Sequence, residues 1–148
     1  MLTESLKPLF NRDLNKLKQE IEAYNNEQRI WATEGGISNS AGNLCLHLVG
    51  NLNHFIGKVL GGTDYVRNRE AEFSLRNVPR QELVKMIEAT VAVVDSSLDK
   101  IVPEQLNQEY PIQVFDKKMT VEFFLLHLCT HLSYHLGQVN YHRRLLDK

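Results

Sequence analysis

Apolar residues recur at steps of three and four along most of the chain, which is the spacing of one face of an α-helix. Between Leu2 and Trp31 this face consists of Leu6, Leu9, Phe10, Leu14, Leu17, Ile21 and Tyr24. The pattern predicts a long first helix. It stops before a polar, glycine-rich break at residues 33–42.

A second helix is predicted over residues 41–60, where apolar positions resume after that break. Gly61 and Gly62 follow it and suit a C-terminal stop. Gly50 and Gly57 lie inside the helix, where each costs about 1 kcal/mol relative to alanine. Their expected use is a close helix contact or backbone access to a pocket.

Two more helices are separated by long connections. Residues 63–78 show no clear period and predict a crossover with one helical turn. An apolar helical face returns at residues 79–101. Residues 103–118 predict an irregular connection with a short extended piece at residues 111–115. The last helix is predicted at residues 120–146.

The predicted fold is all-α, a four-helix bundle with long crossover connections, in which residues 1–148 form one domain. The formal net charge of −1 makes phosphate-driven nucleic-acid binding a poor candidate. No apolar run approaches the ~20 residues of a membrane helix. The first residues lack the apolar region of a secretory signal, and there are only two cysteines. We therefore expect a cytoplasmic protein.

Histidine is the residue type that suggests chemistry. His127, His131 and His135 are spaced four apart in the last predicted helix, so each lies almost above the one before. Two imidazoles at that spacing can bind one metal ion. Each step of four residues turns the side chain by a further angle of about 40° around the helix axis. All three rings therefore cannot point at one ion equally well. Spacing leaves open whether His127/His131 or His131/His135 would be the pair.

The second predicted helix carries His47 and His54 on one face, with Asn51 between them. If the two helices meet, His47 could complete a site of three nitrogens. Such a site suits zinc, nickel or another borderline divalent ion and keeps a position open for water or substrate. The ordinary alternative is a histidine that packs in the core of the bundle or lies at its surface. We favour that alternative for His54, His127 and His142.

A dense cluster of charges lies in the predicted crossover, at Arg67, Arg69, Glu70 and Glu72. Arg67 and Arg69 could bind an anionic group of a substrate near the mouth of a pocket. The alternative is a set of structural ion pairs that fix the loop. We favour the ion pairs, because charges of alternating sign tend to satisfy each other.

Gln138 and the two cysteines complete the candidates. Gln138 lies three residues after His135 and could orient a metal ligand or cap the interior, and the sequence favours neither. Cys45 and Cys129 are each two residues from a candidate histidine, which places them on other helix faces. Both are expected to be small buried hydrophobes.

Several of these residues carry a resemblance to a known family. Residues 131–139, HLSYHLGQV, resemble the H-x-x-x-H-x-G-Q signature of the DinB/YfiT-like superfamily. Trp31, residues 39–40 and residues 46–48 are similar to the Trp…Ser…His-Leu stretch of that family. Residues 50–73 resemble a subgroup of small DinB-like proteins.

The resemblance implies a four-helix bundle, often dimeric, that holds a divalent metal with three histidines. The matching positions here are His47, His131 and His135. The family usually has arginine where this chain has Leu136, a departure that does not affect a ligand. Members with assigned roles include transferases and isomerases that use bacillithiol or mycothiol.

The expected function is therefore that of a metal-dependent transferase. It would use a low-molecular-weight thiol, activated at the three-histidine site, on a small-molecule substrate, and it would act as a homodimer. A hydrolase with a metal-bound hydroxide is a variant that uses the same site. The competing class is a non-catalytic helical binding or scaffold module with a structural or incidental metal. No separate general base can be identified.

Overall fold

The computed structural model describes residues 1–148, and its regular structure is helical. The α-helices are α1 (Leu2–Ala23), α2 (Ala41–Leu52), α3 (Arg69–Ser74), α4 (Arg80–Asp99), α5 (Pro103–Leu106) and α6 (Val121–Leu146). A 3-10 segment spans Glu27–Trp31, and a π-helix continues α2 over Asn53–Lys58. The only β-type pairing is an isolated bridge between Glu109 and Thr120. The prediction of an all-α fold is confirmed, with six α-helices instead of four.

The four long helices share one apolar core. Helix α1 packs against α4 and α6, and α2 packs against the same two helices. The buried apolar face of α1 is formed by Leu6, Phe10, Leu14, Leu17 and Ile21. Each such side chain contributes about 1.5–3 kcal/mol when it leaves water. None of the helices has a stretch apolar enough to span a bilayer.

The first helix is shorter than predicted, because α1 ends at Ala23 and a 3-10 segment continues to Trp31. The break falls at two asparagines whose backbone amides are held from the other end of the chain. The N–H of Asn25 donates to Asp147 Oδ2 at 2.7 Å, and that of Asn26 donates to Oδ1 at 3.1 Å. These bonds replace the helical hydrogen bonds of the two amides. The prediction of a continuous helix to Trp31 is therefore wrong.

The second helix is interrupted near its end by the π-helix Asn53–Lys58. There the N–H of Val59 donates to the carbonyl of His54 at 3.1 Å, five residues back. The Phe55 carbonyl, which a regular α-helix would pair with Val59, accepts instead from the hydroxyl of Tyr110 at 2.6 Å. A side chain from a distant segment thus widens the turn, a feature that often accompanies functional sites.

The connection before α6 forms no strand at residues 111–115, where the sequence predicts a short extended piece. The loop is closed at its base, where the N–H of Tyr110 donates to the carbonyl of Met119 at 2.8 Å. No neighbouring strand lies beside residues 111–115 to pair with them. Phe115 folds back onto α6 instead, with its ring centroid 6.0 Å from that of Phe124.

His142 is buried, so the surface alternative does not hold for it and the packing interpretation does. Its Nε2 lies 2.7 Å from the carbonyl oxygen of Ala32. A carbonyl only accepts, so Nε2 carries the hydrogen and Nδ1 accepts from the hydroxyl of Tyr24 at 2.6 Å. Burial lowers the pKa of His142, which favours this neutral form.

Replacing Tyr24 with phenylalanine is expected to destabilise the protein by about 1–3 kcal/mol, because His142 Nδ1 would stay buried without a donor. Chemical denaturation measures the change. The matched control is Tyr141→Phe in α6, since Tyr141 is exposed and its hydroxyl forms no hydrogen bond. Equal stability of the two variants would contradict the role given to the Tyr24 hydroxyl.

Candidate metal centre

The packing of α2 against α6 brings together His47, His131 and His135. Each of the three offers a ring nitrogen, and these atoms lie within 4.8 Å of one another. The Nε2 atoms of His47 and His131 are 3.3 Å apart. A tetrahedral ion with bonds of about 2.0–2.1 Å separates two ligand nitrogens by about 3.3 Å. The cluster could therefore hold one metal ion.

Two further histidines lie near the cluster but do not join it. The ring of His127 stacks on that of Phe124, with centroids 5.7 Å apart and an interplanar angle of 11°. Its centroid is 6.1 Å from that of His131, one helical turn away. His54 lies in the π-helix, where its ring packs against Phe55 at 4.8 Å. The structure thus groups His131 with His135, the choice that helical spacing left open.

The orientation of His47 is fixed by Glu72, a residue of α3. The Nδ1 atom of His47 lies 3.1 Å from Glu72 Oε1. A carboxylate accepts, so Nδ1 donates and the Nε2 atom is directed towards His131. Carboxylates commonly orient metal-binding histidines in this way.

Arg67 holds the same carboxylate by two bonds, Nε to Oε2 at 2.9 Å and Nη2 to Oε1 at 3.0 Å. Burial alone would raise the pKa of Glu72, but the hydrogen bonds from His47 and Arg67 outweigh burial and lower it. The predicted ion pairing is confirmed for Arg67 and Glu72, whereas Arg69 and Glu70 form no ion pair. The crossover therefore also supports a histidine, a role that the sequence pattern did not reveal.

Gly50 makes room for the Glu72 carboxylate against the backbone of α2. A Cβ atom at position 50 would lie 2.6 Å from Glu72 Cδ, closer than real contacts allow. The close contact expected at Gly50 is confirmed, although its partner is a side chain of the crossover. No local signal links Glu72 to His47, which lies 25 residues earlier. The sequence feature that pointed to this contact was Gly50, a glycine inside a predicted helix, three residues after His47.

Gln138 contacts the third histidine of the cluster. Its Oε1 lies 2.6 Å from His135 Nδ1, which leaves the Nε2 of that ring free. Gln138 is exposed, so it does not cap the interior. Asn51 forms no hydrogen bond with the three histidines, and its buried Oδ1 has no hydrogen-bond partner. The Nδ1 of His131 is likewise buried and unpaired.

Comparison with known families covers almost the whole chain. A family model described as "Protein of unknown function (DUF1572)" matches residues 3–148. The chain belongs to the DUF1572 family. Among curated proteins, none matches it. The matched range of this DUF1572 protein includes all three histidines of the cluster.

The surroundings hold two of the rings in the uncharged form. Burial, followed by the neighbouring rings of His135 and His47, lowers the pKa of His131 from 6.5 to about 4. Burial also lowers the pKa of His135; the hydrogen bond to Gln138 opposes this effect, and His47 adds to it. Neutral imidazole is the form that binds a metal ion.

The metal-free DUF1572 protein is expected to lose stability as the pH falls from 6.5 to about 4, the interval between the ordinary and the folded-state pKa of His131. Within this interval the unfolded chain binds the proton and the folded one does not, so acid favours unfolding. Urea midpoints measured across the interval test this. His131→Asn should make the pH dependence shallower, and an unchanged slope would contradict the assignment.

A cavity of about 410 Å³ opens beside the centre. His47 and His131 line it, together with apolar and aromatic side chains and three polar ones: Phe55, Val114, Phe115, Phe124, Leu128, Asn51, Arg67 and Arg69, with His127 beside them. Another cavity, of about 320 Å³, lies between residues 36–39 and the end of α6 and includes none of the three clustered histidines. The first cavity is the one that can bring a small molecule to the cluster.

Proposed function

We propose that this DUF1572 protein is a metal-dependent enzyme with a DinB-like four-helix bundle. His47, His131 and His135 would hold the ion, with zinc or nickel as the preferred metals. The observation that carries the proposal is the convergence of three imidazoles beside an open cavity. Three protein ligands, in contrast to the four of a closed structural site, keep a position available to a substrate.

The donor set fits a borderline divalent cation. Imidazole nitrogen suits zinc and nickel. The Nδ1 atoms of His47 and His135 are already used by Glu72 and Gln138, so both rings present Nε2. The charge of Glu72 is balanced by Arg67. The charge of a bound divalent ion would therefore remain largely uncompensated and would attract an anionic group.

The proposed reaction is a transfer that uses a low-molecular-weight thiol, an expectation that comes from the resemblance to the DinB/YfiT-like superfamily. When bound, a divalent cation would lower the pKa of a coordinated thiol, so that the thiol would release its proton to solvent at neutral pH. The residues around the site support this choice. Glu72 is the carboxylate beside the histidines, and both its oxygens are engaged by His47 and Arg67. A nucleophile that needs no protein base fits better than a water molecule.

A thiol panel tests the reaction directly. Protein loaded with zinc or nickel is mixed with a chromogenic electrophile and, in turn, with cysteine, glutathione, bacillithiol or mycothiol. We expect one thiol to react faster with the loaded protein than with the metal-free protein, and the gain to disappear in His47→Ala. Turnover of an ester without thiol would indicate a hydrolase instead. Stoichiometric metal without turnover of either kind would favour a non-catalytic module.

We also propose that the protein is a homodimer. Helix α6 exposes a row of large apolar side chains on one face: Phe123, Tyr134, Tyr141 and Leu145. Large apolar side chains that are exposed along one helix face suit an interface. Sedimentation equilibrium measures the mass in solution, and Tyr134→Glu is expected to shift it towards the monomer.

Both cysteines are free thiols, which is consistent with the proposed cytoplasmic location. Burial raises the pKa of Cys45 to about 12. Burial raises the pKa of Cys129 as well. Neither cysteine belongs to the histidine cluster, and the prediction that both are small buried hydrophobes is confirmed.

A further inference from the structure

We propose that the cavity beside His47 and His131 binds a small aromatic carboxylate, with its ring against the phenylalanine wall and its carboxylate at Arg69. This inference rests on the proposed function, because it names the substrate class of the same site. Three independent features of the cavity support it: its charge, its aromatic wall and one buried amide without a partner.

The charge of the lining is positive. Two arginines, Arg67 and Arg69, line the cavity, and no aspartate or glutamate does. Arg67 is neutralised by its two bonds to Glu72. Arg69 forms no ion pair, and its guanidinium is held over the ring of Phe73 with 5.6 Å from Cζ to the centroid. It therefore presents a positioned, uncompensated cation, whose planar fork suits a carboxylate.

Phenylalanine rings form part of the cavity wall. The rings of Phe55 and Phe124 meet edge to face, with centroids 5.1 Å apart and an angle of 88°. Phe115 approaches Phe124 in the same manner at 75°. Phe124 itself is buried, and His127 covers its face, so Phe55 and the exposed Phe115 are the rings that a ligand can reach. Aromatic rings pair with such rings edge to face or offset. A volume of about 410 Å³ accommodates one substituted ring.

Asn51 supplies a polar contact inside the cavity. It is 7% exposed, and its Oδ1 has no hydrogen-bond partner. A buried polar atom without a partner costs about 1–3 kcal/mol, which a ligand can recover by pairing with it. Because the amide can turn, it can accept from a hydroxyl or donate to an oxygen. An aromatic carboxylate with a second polar substituent can bind Arg69 through its carboxylate and Asn51 through that substituent.

Calorimetric titration of benzoate, benzamide and acetate into the full chain tests the proposal. The titrations are made with metal-free and with zinc-loaded protein. We expect benzoate to bind both forms, with benzamide and acetate weaker by about tenfold or more, equal to about 1.4 kcal/mol. Benzamide lacks the charge, and acetate lacks the ring.

Arg69→Gln is expected to weaken benzoate by about tenfold and to leave benzamide unchanged. Arg144→Gln is the matched control, because that guanidinium also lies over an aromatic ring, that of Tyr141, but is outside the cavity. Asn51→Leu should weaken 4-hydroxybenzoate more than benzoate.

Three results would overturn the inference. Benzoate that binds no better than acetate would show that the aromatic wall is not used. An unchanged affinity for benzoate in Arg69→Gln would show that this arginine does not bind the carboxylate. Binding that requires zinc and ignores Arg69→Gln would place the carboxylate on the ion. In each case, zinc that is bound stoichiometrically by the wild type and lost in His131→Ala would still support the metal centre. The two proposals can therefore fail separately.

Discussion

Replacement of His131 by alanine is expected to abolish metal binding while leaving the fold intact. His131 is central to the cluster, with its Nε2 3.3 Å from that of His47 and its ring 4.5 Å from that of His135. Two remaining imidazoles do not complete a three-ligand site, so affinity should fall by about a hundredfold or more. The fold should survive, because the Nδ1 of His131 has no partner to lose.

Elemental analysis of untagged protein measures this effect, with circular dichroism as the check on folding. His54→Ala is the matched control, because His54 lies nearby in the π-helix but outside the cluster. We expect one divalent ion per chain in the wild type and in His54→Ala. His135→Gln provides a second ligand variant should His131→Ala fold poorly.

Several outcomes would count against the metal centre as proposed. Metal retained in both ligand variants would place the binding site elsewhere. Wild-type protein prepared without chelator and found free of metal would remove the metal proposals altogether. Unfolding that accompanies metal loss in both ligand variants would assign the ion a structural role, in favour of a scaffold module.

Gly50→Ala is expected to produce the second large effect, a loss of stability together with a loss of metal affinity. The new Cβ would lie 2.6 Å from Glu72 Cδ. Helix α2 is buried along its whole length and cannot easily move away. Glu72 must shift instead, which breaks its contacts with His47 and Arg67. Overpacking costs about 1–3 kcal/mol, and loss of the residue that orients a ligand costs about 10–100-fold in metal affinity.

Gly137→Ala is the matched control, because Gly137 is also inside a helix but has no atom within 4 Å of its Cβ position. There alanine should stabilise the protein by about 1 kcal/mol through helix propensity. Thermal unfolding of the two variants should therefore shift in opposite directions, and zinc titration should show weaker binding in Gly50→Ala alone.

Glu72→Gln separates shape from charge, since it preserves the volume beside Gly50 but removes the carboxylate. We expect it to weaken zinc binding without the steric cost of Gly50→Ala. If Gly50→Ala were as stable as Gly137→Ala and bound zinc normally, the Glu72 carboxylate would not be packed on α2 in solution.

The helices themselves were largely predictable, because helical periodicity is a local property of the sequence. The apolar positions from Leu6 to Ile21 are the ones buried in α1, and Thr120 caps α6 where the last pattern begins. The helix boundaries that were predicted wrongly are set by residues far away in the sequence. Asp147 ends the first helical region through the amides of Asn25 and Asn26, and Tyr110 opens the π-turn at Phe55.

The candidate site was likewise predictable only in part. Spacing alone determined that neighbouring histidines of the last helix share one face, and that His47 lies on a helix able to meet them. Packing of α2 on α6 decided that His131 and His135 join His47 while His127 stacks on Phe124. It also placed Glu72 against Gly50. Periodicity fixes the direction of a side chain about its own helix axis, whereas the partner it meets depends on contacts between segments far apart in the chain.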